Sequence, residues 1–193
     1  MITIIDFGKP EHENIKRALA ELSVDAVVSA AEADILKADK LILPDCGNVK
    51  FAIRKLHLLN LFSVLRIIKK PLLGIGTGMH LLTDSFKDEN LACLGCFPAK
   101  CFGVDIPGLN YGTNLRIIKK TESPLLNNIN KDAEFYFKTY CCIPVNEFST
   151  SSAKVDEFEF TATMEKDDYY GMQFLPGQSG EAGLTVLRNF VEM

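Results

Sequence analysis

The chain has 193 residues, of which 47% are hydrophobic and 24% charged, and its formal net charge is −4. This composition is typical of a globular protein and not of a disordered chain. The length suits one domain spanning residues 1–193. No binding of nucleic acid is expected, because the Lys and Arg residues form no cluster larger than a pair.

No stretch of the sequence predicts a membrane location. The longest apolar candidate is interrupted by Arg66, Lys69 and Lys70, so it is too short to cross a bilayer. Met1–Asp6 leads directly into an apolar run, without the basic flank and long apolar core of a signal peptide. We therefore expect a cytoplasmic protein.

The six cysteines are scattered and are expected to be reduced thiols, because nothing in the sequence indicates secretion. They are Cys46, Cys93, Cys96, Cys101, Cys141 and Cys142. The Cys93, Cys96 and Cys101 spacing resembles part of a zinc site, but the second paired knuckle or histidine pair is missing. We expect no metal and no other cofactor, and we interpret the cysteines as small buried hydrophobes.

The first half of the chain alternates short apolar runs with helical patterns. The runs are Ile2–Ile5, Ala26–Val28, Leu41–Leu43 and Leu72–Ile75; the helical patterns include Ile15–Leu22, Val49–Leu56 and Leu61–Ile68. This alternation predicts βαβ units, and hence an α/β fold with a mostly parallel sheet covered by helices on both faces.

From about Leu91 the pattern changes to short strands separated by turns, which predicts an antiparallel extension or a mixed sheet. The predicted strands are Cys96–Phe97, Cys101–Val104, Leu115–Ile118, Phe135–Phe137, Phe158–Thr163 and Tyr169–Phe174. A closing helix is expected, with Ser179 as its N-cap residue and a buried stripe of Leu184, Leu187 and Val191.

The segment Pro71–His80 has the layout of a nucleophile elbow: an apolar run, a turn rich in glycine, and a helical pattern that continues to Phe86. Gly74 and Gly78 flank the turn, where bulky residues would block it. The centre of the turn is Gly76, which has no side chain. The scaffold of a covalent catalyst is therefore predicted without its nucleophile.

Landmarks of one family run through the whole sequence. They are Ile4–Gly8, Ala38–Pro44, Leu73–Ile75 with Gly78 and Met79, Gly112 with Asn114, Ser123–Leu126, Phe135–Phe137, Gly171–Phe174, Ser179–Leu184 and Leu187–Phe190. In these landmarks the chain resembles HisH, the glutamine amidotransferase subunit of imidazole glycerol phosphate synthase, within the class I (triad) amidotransferases. The resemblance implies a flavodoxin-like sheet, glutamine as substrate, and a heterodimer with a cyclase-type (βα)₈-barrel subunit that receives the ammonia.

The chain departs from this family at all three positions of the catalytic triad. Gly76 stands where the family has its cysteine nucleophile, Leu175 where it has its histidine base, and Gly177 where it has the orienting glutamate. None of the three has an ionisable group, so none can take the role of nucleophile, base or orienting group.

The resemblance also assigns two regions outside the triad, the oxyanion loop and the face that docks on the barrel subunit. The family's oxyanion loop, Pro-Gly-Val-Gly, corresponds to Pro44-Asp45-Cys46-Gly47, and a carboxylate at Asp45 is repulsive to an oxyanion unless it points away. The face that docks on the barrel subunit is expected to include Asn114 and the Gly8–Glu13 turn.

A substitute catalyst is not evident. Cys46 is the best alternative thiol, but no histidine lies near it in sequence. His80 is interpreted as a polar residue packing near the pocket, and Cys141 and Cys142 as core residues. A laboratory substitution of the nucleophile would explain Gly76 alone, so we favour a naturally degenerate site.

Three hypotheses follow. The first is a catalytically inactive HisH-like subunit with a structural or regulatory role. The second is a working glutaminase subunit that uses unconventional residues, in histidine biosynthesis or in a surface-sugar amidination pathway. The third is a small-ligand module in which the Gly74–Gly78 turn cradles an anion.

Overall fold

The computed structural model describes residues 1–193 and contains thirteen strands and seven α-helices. The strands are β1 Ile2–Ile5, β2 Ala26–Ser29, β3 Lys40–Leu43, β4 Leu72–Ile75, β5 Thr83–Phe86, β6 Leu91–Ala92, β7 Phe97–Gly103, β8 Thr113–Lys119, β9 Glu134–Phe137, β10 Cys141–Cys142, β11 Ser149–Val155, β12 Phe158–Lys166 and β13 Tyr169–Met172. The helices are α1 His12–Glu21, α2 Glu32–Lys37, α3 Val49–Leu58, α4 Leu61–Ile67, α5 Thr77–Leu81, α6 Pro107–Asn110 and α7 Gly180–Glu192; Pro124–Leu126 and Pro176–Gln178 form 3₁₀ turns.

Nine strands form the main sheet, in the order β2-β1-β3-β4-β13-β12-β11-β8-β9. The strands from β2 to β13 in this order pair in parallel. The strands from β13 to β9 pair antiparallel. A second, four-stranded sheet has the order β10-β7-β5-β6. The predicted α/β fold with an antiparallel extension is thereby confirmed.

Apolar residues are buried on both faces of the main sheet. Along β3, Leu41 and Leu43 belong to one hydrophobic cluster and Ile42 to the other. Successive side chains of a strand point to opposite faces, so an unbroken apolar run is what a strand covered on both sides requires. Helices α3, α4 and α5 pack in the first cluster, and α1 and α7 pack in the second.

The helix after the elbow is shorter than predicted. It ends at Leu81, and Thr83–Phe86 forms β5, which pairs with β6 and β7. The prediction of a helix to Phe86 was therefore wrong. The buried, β-branched Thr83 marks the change, because its hydroxyl donates to the His80 carbonyl oxygen and its shape suits a strand.

Ser179 occupies the N-cap position of α7, as predicted, but its side chain does not cap the helix. The Ser179 Oγ accepts the Tyr136 backbone N–H and donates to the Leu175 carbonyl oxygen. It therefore ties β9 to the segment that follows β13.

Strand β11 and helix α2 were absent from the prediction. The sequence of β11 is rich in hydroxyl residues, yet Ser149–Ala153 are buried. Their hydroxyls pair with those of β12: Ser149 Oγ lies 2.8 Å from Thr161 Oγ1, and Ser151 Oγ lies 2.6 Å from Thr163 Oγ1. Hydrogen bonding thus allows a polar sequence to form an interior strand.

Candidate functional site

The turn between β4 and α5 lies at the carboxyl end of the parallel part of the sheet, where ligand sites of open α/β folds are found. At its centre, Gly76 has φ +54° and ψ −117°. An L-residue is strained in this conformation, whereas glycine adopts it freely. The Gly76 N–H donates to the Met172 carbonyl oxygen at 2.8 Å, which fixes the turn against β13.

The two flanking glycines are in close contact with backbone. A Cβ on Gly74 would lie 2.5 Å from the Gly78 carbonyl oxygen, and a Cβ on Gly78 would clash with the Leu43 carbonyl oxygen. Only glycine fits at either position without moving the backbone. The chain therefore has the backbone of a nucleophile elbow without the side chain at its centre.

Asp45 fills the space above the elbow. Its Oδ1 accepts hydrogen bonds from Thr77 Oγ1 at 2.6 Å, from Thr77 N at 2.9 Å and from Gly47 N at 3.3 Å. In an elbow enzyme, the N–H after the nucleophile is a donor of the oxyanion hole. Here that donor, Thr77 N–H, is bonded to a carboxylate of the protein itself. Asp45 points into the turn.

The Asp45 carboxylate also occupies the volume that a nucleophile would need. A Cβ on Gly76 would lie 2.8 Å from Asp45 Oδ1, closer than real Cβ atoms approach an oxygen. A side chain at position 76 and the present position of Asp45 thus exclude each other.

Leu175 and Gly177 lie in the segment that follows β13, next to the elbow. With Asp45 and Ile75 they line a cavity of about 40 Å³. The ionisable groups on its wall are carboxylates, those of Glu11 and Asp45. A Cβ on Gly177 would lie 2.9 Å from the Asn14 carbonyl oxygen of α1, so α1 is packed too closely for a larger residue there.

Cys46 is buried in the core. It is 4% exposed and belongs to the hydrophobic cluster that includes Val49 and Ala52. Burial raises the pKa of its thiol to about 12. Since the thiolate is the nucleophile, this raised pKa disfavours Cys46 as a nucleophile at neutral pH.

Four of the other cysteines are buried packing residues, whereas Cys141, expected in the core, is half-buried and lines the cleft described below. Cys93, Cys96 and Cys101 are buried in the first hydrophobic cluster. Burial raises the pKa of Cys141 to about 12 and also raises that of Cys142. No group of three or more His, Cys, Asp or Glu residues is arranged to hold a metal ion.

His80 lies on α5 and is 1% exposed. Its Nε2 is 2.7 Å from Gln173 Oε1, and the Cys141 backbone also contacts the ring. Burial lowers the pKa of His80 to about 4, against opposing effects of Gln173, Asp45 and the Cys141 backbone. The imidazole is therefore neutral at pH 7 and a weak base.

A cleft of about 330 Å³ opens beside the elbow. Its walls combine the oxyanion-loop region, α5 and the segment around β10, and the lining residues are Glu11, Asp45, Gly47, Val49, Thr77, His80, Lys138, Thr139, Tyr140, Cys141, Leu175 and Gln178. The Gly8–Glu13 turn reaches this cleft through Glu11. Asn114 is exposed on β8, opposite Tyr136 of β9.

Sequence reasoning missed the roles of Thr77 and Gln173. Thr77 binds Asp45, and Gln173 binds His80 across 93 positions of the chain. An acidic residue in the predicted oxyanion loop was a signal that nearby donors would be bonded, but only the fold shows which ones.

No helix of the structure has both the length and the apolar character needed to cross a bilayer.

The family described as glutamine amidotransferase class-I matches residues 3–193. The chain therefore belongs to the class-I glutamine amidotransferase family.

Within that family, the chain is similar to imidazole glycerol phosphate synthase subunits HisH. It is 34% identical over 198 residues to the HisH of Pectobacterium atrosepticum, with 100% of this chain and 99% of the relative covered. It is 32% identical over 199 residues to the HisH of Buchnera aphidicola, with the same coverage.

Solved structures share the fold. One described as glutamine amidotransferase has a TM-score of 0.78 at 12% identity, covering 100% of this chain and 98% of the other. PurLQS from Thermotoga maritima has a TM-score of 0.60 at 13% identity, covering 99% and 97%.

Proposed function

We propose that this chain is a HisH-type subunit of an imidazole glycerol phosphate synthase that does not hydrolyse glutamine. In this proposal it is the structural or regulatory partner of a cyclase-type (βα)₈-barrel subunit, and the barrel uses free ammonia. Similarity to HisH subunits over the full length of the chain supports the assignment. The observation that carries the inactivity is the Asp45 carboxylate, which lies above Gly76 and takes the Thr77 N–H.

The chemistry explains why this arrangement is unsuited to amide cleavage. A triad glutaminase forms an acyl-thiol bond to the glutamine side chain, releases ammonia, and then hydrolyses the thioester. Each step needs a thiolate, a base that carries its proton, and donors for the oxyanion. Gly76, Leu175 and Gly177 stand at the positions that the resemblance assigns to the triad, and they supply neither a thiolate nor a base. Asp45 accepts the Thr77 N–H, so this donor is not free for an oxyanion.

The surface near the cleft supports a partner role. Tyr111 is 82% exposed and Tyr140 is 53% exposed. The two residues are close in the fold, because the Leu109 carbonyl oxygen before Tyr111 accepts the Thr139 N–H before Tyr140. Exposed tyrosines are enriched at protein interfaces. Together with Asn114 and the Gly8–Glu13 turn, they define the proposed docking face.

The decisive experiment is a glutaminase assay of the chain purified with the barrel subunit from its own genome. We expect a complex at micromolar concentration and no glutamate release above the rate of the barrel alone. Glutamate release that is lost in Cys46→Ala but kept in Cys96→Ala would contradict the proposal. Cys96 is a matched control, since it is also buried and burial raises its pKa to about 11.

The second candidate is a working glutaminase subunit, in histidine biosynthesis or surface-sugar amidination. The retained elbow backbone, with Gly74 and Gly78 fixed by close contacts, favours it. The buried, protonated Cys46 thiol argues against it.

An anion-binding module is disfavoured. In that hypothesis an external anion would use the N–H groups of the Gly74–Gly78 turn. Thr77 N–H already binds the Asp45 carboxylate, whose charge repels a second anion.

A further inference from the structure

Helices α3 and α4 each expose aliphatic and cationic side chains to solvent. On α3, the exposed Arg54, His57 and Leu58 recur at the spacing of one helix face. On α4, Arg66 and Ile67 are exposed. Leu58 is 80% exposed and Ile67 is 77% exposed, more than any other Leu, Ile, Val or Met side chain. The most exposed aliphatic side chains of the protein therefore lie on this helix pair.

Phe62 joins the two helices into one surface. The His57 ring of α3 stacks on the Phe62 ring of α4, with the ring centroids 4.3 Å apart and the planes at 18°. The Arg66 guanidinium lies 5.9 Å from the centroid of the same Phe62 ring, in a cation–π contact. We name this surface the α3–α4 face and define it by Arg54, Leu58, Phe62, Arg66, Ile67 and Lys69.

The charge of the α3–α4 face is of one sign. Residues 46–83 include six Lys and Arg residues and no Asp or Glu, although the chain as a whole has a net charge of −4. Two of the six are engaged within the protein, since Lys50 is paired with Glu89 and Lys70 donates to carbonyl oxygens at the end of α2.

The remaining cations of the face are available to a partner. Arg54, Arg66 and Lys69 are exposed, and no carboxylate is paired with them. In the sequence the Lys and Arg residues form no cluster larger than a pair, and the fold brings these cations onto one surface. The α3–α4 face is therefore a cationic, partly aliphatic surface on an acidic protein.

This combination favours an anionic lipid bilayer over other anionic partners. Acidic headgroups attract Lys and Arg side chains, and the adjoining acyl region removes aliphatic side chains from water. Nucleic acid also offers phosphates, but its contacts are hydrogen bonds and stacking, which leave Leu58 and Ile67 without a partner. None of the six residues lines the larger clefts of the protein, so a peptide would find no deep groove there.

We propose that the α3–α4 face binds reversibly to the surface of anionic lipid bilayers. Leu58, Phe62 and Ile67 enter the interface, and the cations beside them contact lipid phosphates. Three aliphatic or aromatic side chains and three cations give a weak association that depends on salt. Binding at this face is independent of whether the chain hydrolyses glutamine, because none of its residues lines the cleft beside the elbow.

The test is co-sedimentation of the full chain with vesicles of equal parts phosphatidylglycerol and phosphatidylcholine, at low and high salt. Vesicles of phosphatidylcholine alone are the control for lipid charge. We expect saturable binding to the anionic vesicles that weakens at high salt, and little binding to the control vesicles. Absence of binding to both kinds of vesicle, or equal binding to both, would overturn the proposal.

Soluble polyanions test the other classes of partner. Double-stranded DNA represents nucleic acid, and polyglutamate represents an acidic protein. Each is compared with the vesicles at the same concentration of anionic groups. We expect both to bind more weakly than the anionic vesicles, because neither accepts the aliphatic side chains. Equal or tighter binding of either polyanion would assign the face to that class of partner and contradict membrane binding.

Matched variants test the contribution of the cations. Arg54→Gln combined with Arg66→Gln removes two charges from the face and should weaken binding to anionic vesicles about thirtyfold, or about fivefold for each cation. Lys16→Gln combined with Arg17→Gln makes the same change of net charge on the exposed side of α1, which packs on the other side of the main sheet. This control should lose far less affinity.

A second pair of variants tests the aliphatic side chains. Leu58→Ser combined with Ile67→Ser should weaken binding at high salt about tenfold. Val27→Ser combined with Ile118→Ser is the control, because these side chains are 42% and 48% exposed on strands β2 and β8. Thermal unfolding checks that all variants are folded. Unchanged binding in either face variant, or equal losses in face variants and controls, would overturn the proposal. Glutamate release measured in the same samples tests the proposed function separately.

Discussion

Asp45 Oδ1 lies 2.8 Å from the point where a Cβ would stand on Gly76. The same oxygen accepts the backbone N–H and the hydroxyl of Thr77. The Asp45 carboxylate thus fills the space of a catalytic side chain at position 76. It also accepts the Thr77 N–H, a donor that the reaction of such a side chain would need. The two residues act as a pair, and the predictions on the elbow follow from this coupling.

Gly76→Ala should be destabilising for two reasons that can be separated. The positive φ costs about 1–3 kcal/mol for an L-residue, and the contact with Asp45 adds to it. Gly180→Ala is the control for φ alone, because Gly180 has φ +56° and no atom within 4 Å of its Cβ position. We expect a larger loss for Gly76→Ala in urea unfolding.

The contribution of Asp45 is measured by a double-mutant cycle with Asp45→Gly. In the Gly76→Ala background, Asp45→Gly should recover the part of the lost unfolding free energy that is due to the contact between the two side chains. The part due to the positive φ at position 76 should remain. Strict additivity of the two substitutions would show that Asp45 and position 76 are not coupled.

Gly76→Cys should not create a glutaminase. Without a base, the new thiol would remain mostly protonated, with a pKa near roughly 8.5. Neither Leu175 nor Gly177 offers a proton acceptor. Glutamate release should stay at the level of the unmodified chain with the barrel subunit present, and turnover at ordinary enzyme rates would refute this prediction.

Adding Leu175→His and Gly177→Glu to Gly76→Cys should still give a poor enzyme. A Cβ at position 177 meets the Asn14 carbonyl oxygen at 2.9 Å, so α1 must move before a glutamate fits. Asp45 would also remain on the Thr77 N–H. We expect Asp45→Gly to raise the activity of this triple variant more than Glu147→Gln, a substitution at the surface away from the cleft.

His80 should make the fold sensitive to mild acid. Its pKa is lowered by burial from 6.5 to about 4 in the folded state, so between these pH values the unfolded chain binds more protons. Above pH 6.5, His80 is neutral in both states and does not lower the free energy of unfolding. As the pH decreases to about 4, protonation of His80 in the unfolded chain lowers the free energy of unfolding by roughly 3 kcal/mol in total.

The measurement is the free energy of unfolding in urea at several pH values in that window. His80→Gln should remove most of the pH dependence, since glutamine has no titrating group and still pairs with Gln173. His57→Gln, which removes an exposed ring stacked on Phe62, should keep it. Glu165, whose pKa is raised by burial, is present in all three proteins and cancels in the comparison. Equal slopes for His80→Gln and the unmodified chain would disprove the assignment.

Tyr111→Ala should weaken the complex with the barrel subunit by at least about tenfold, because exposed tyrosines at an interface centre contribute strongly. Ile67→Ala is the matched control. Ile67 is 77% exposed. It is the last residue of α4, which leads into the start of β4, whereas the elbow follows the end of β4. Dissociation constants from calorimetry decide the matter, and an equal effect of both substitutions would exclude the proposed face.

The sequence allowed the parallel half of the fold to be predicted, because strands such as Leu41–Leu43 are buried on both faces and read as unbroken apolar runs. Strand β11 escaped prediction because its burial rests on hydroxyl pairs such as Ser151 with Thr163, which only the fold brings together. The glycine pattern predicted the elbow. It could not show that Asp45 turns into it, since that depends on donors of Thr77, thirty-two positions away.

The contact between Asp45 and position 76 sets an order on the evolutionary history of the elbow. A lineage that gains a side chain at position 76 must first lose the acidic residue at position 45. A lineage that gains the acidic residue at position 45 must first have glycine at position 76. Homologues in which both occur together should accordingly be rare, and the two columns of an alignment should change in step.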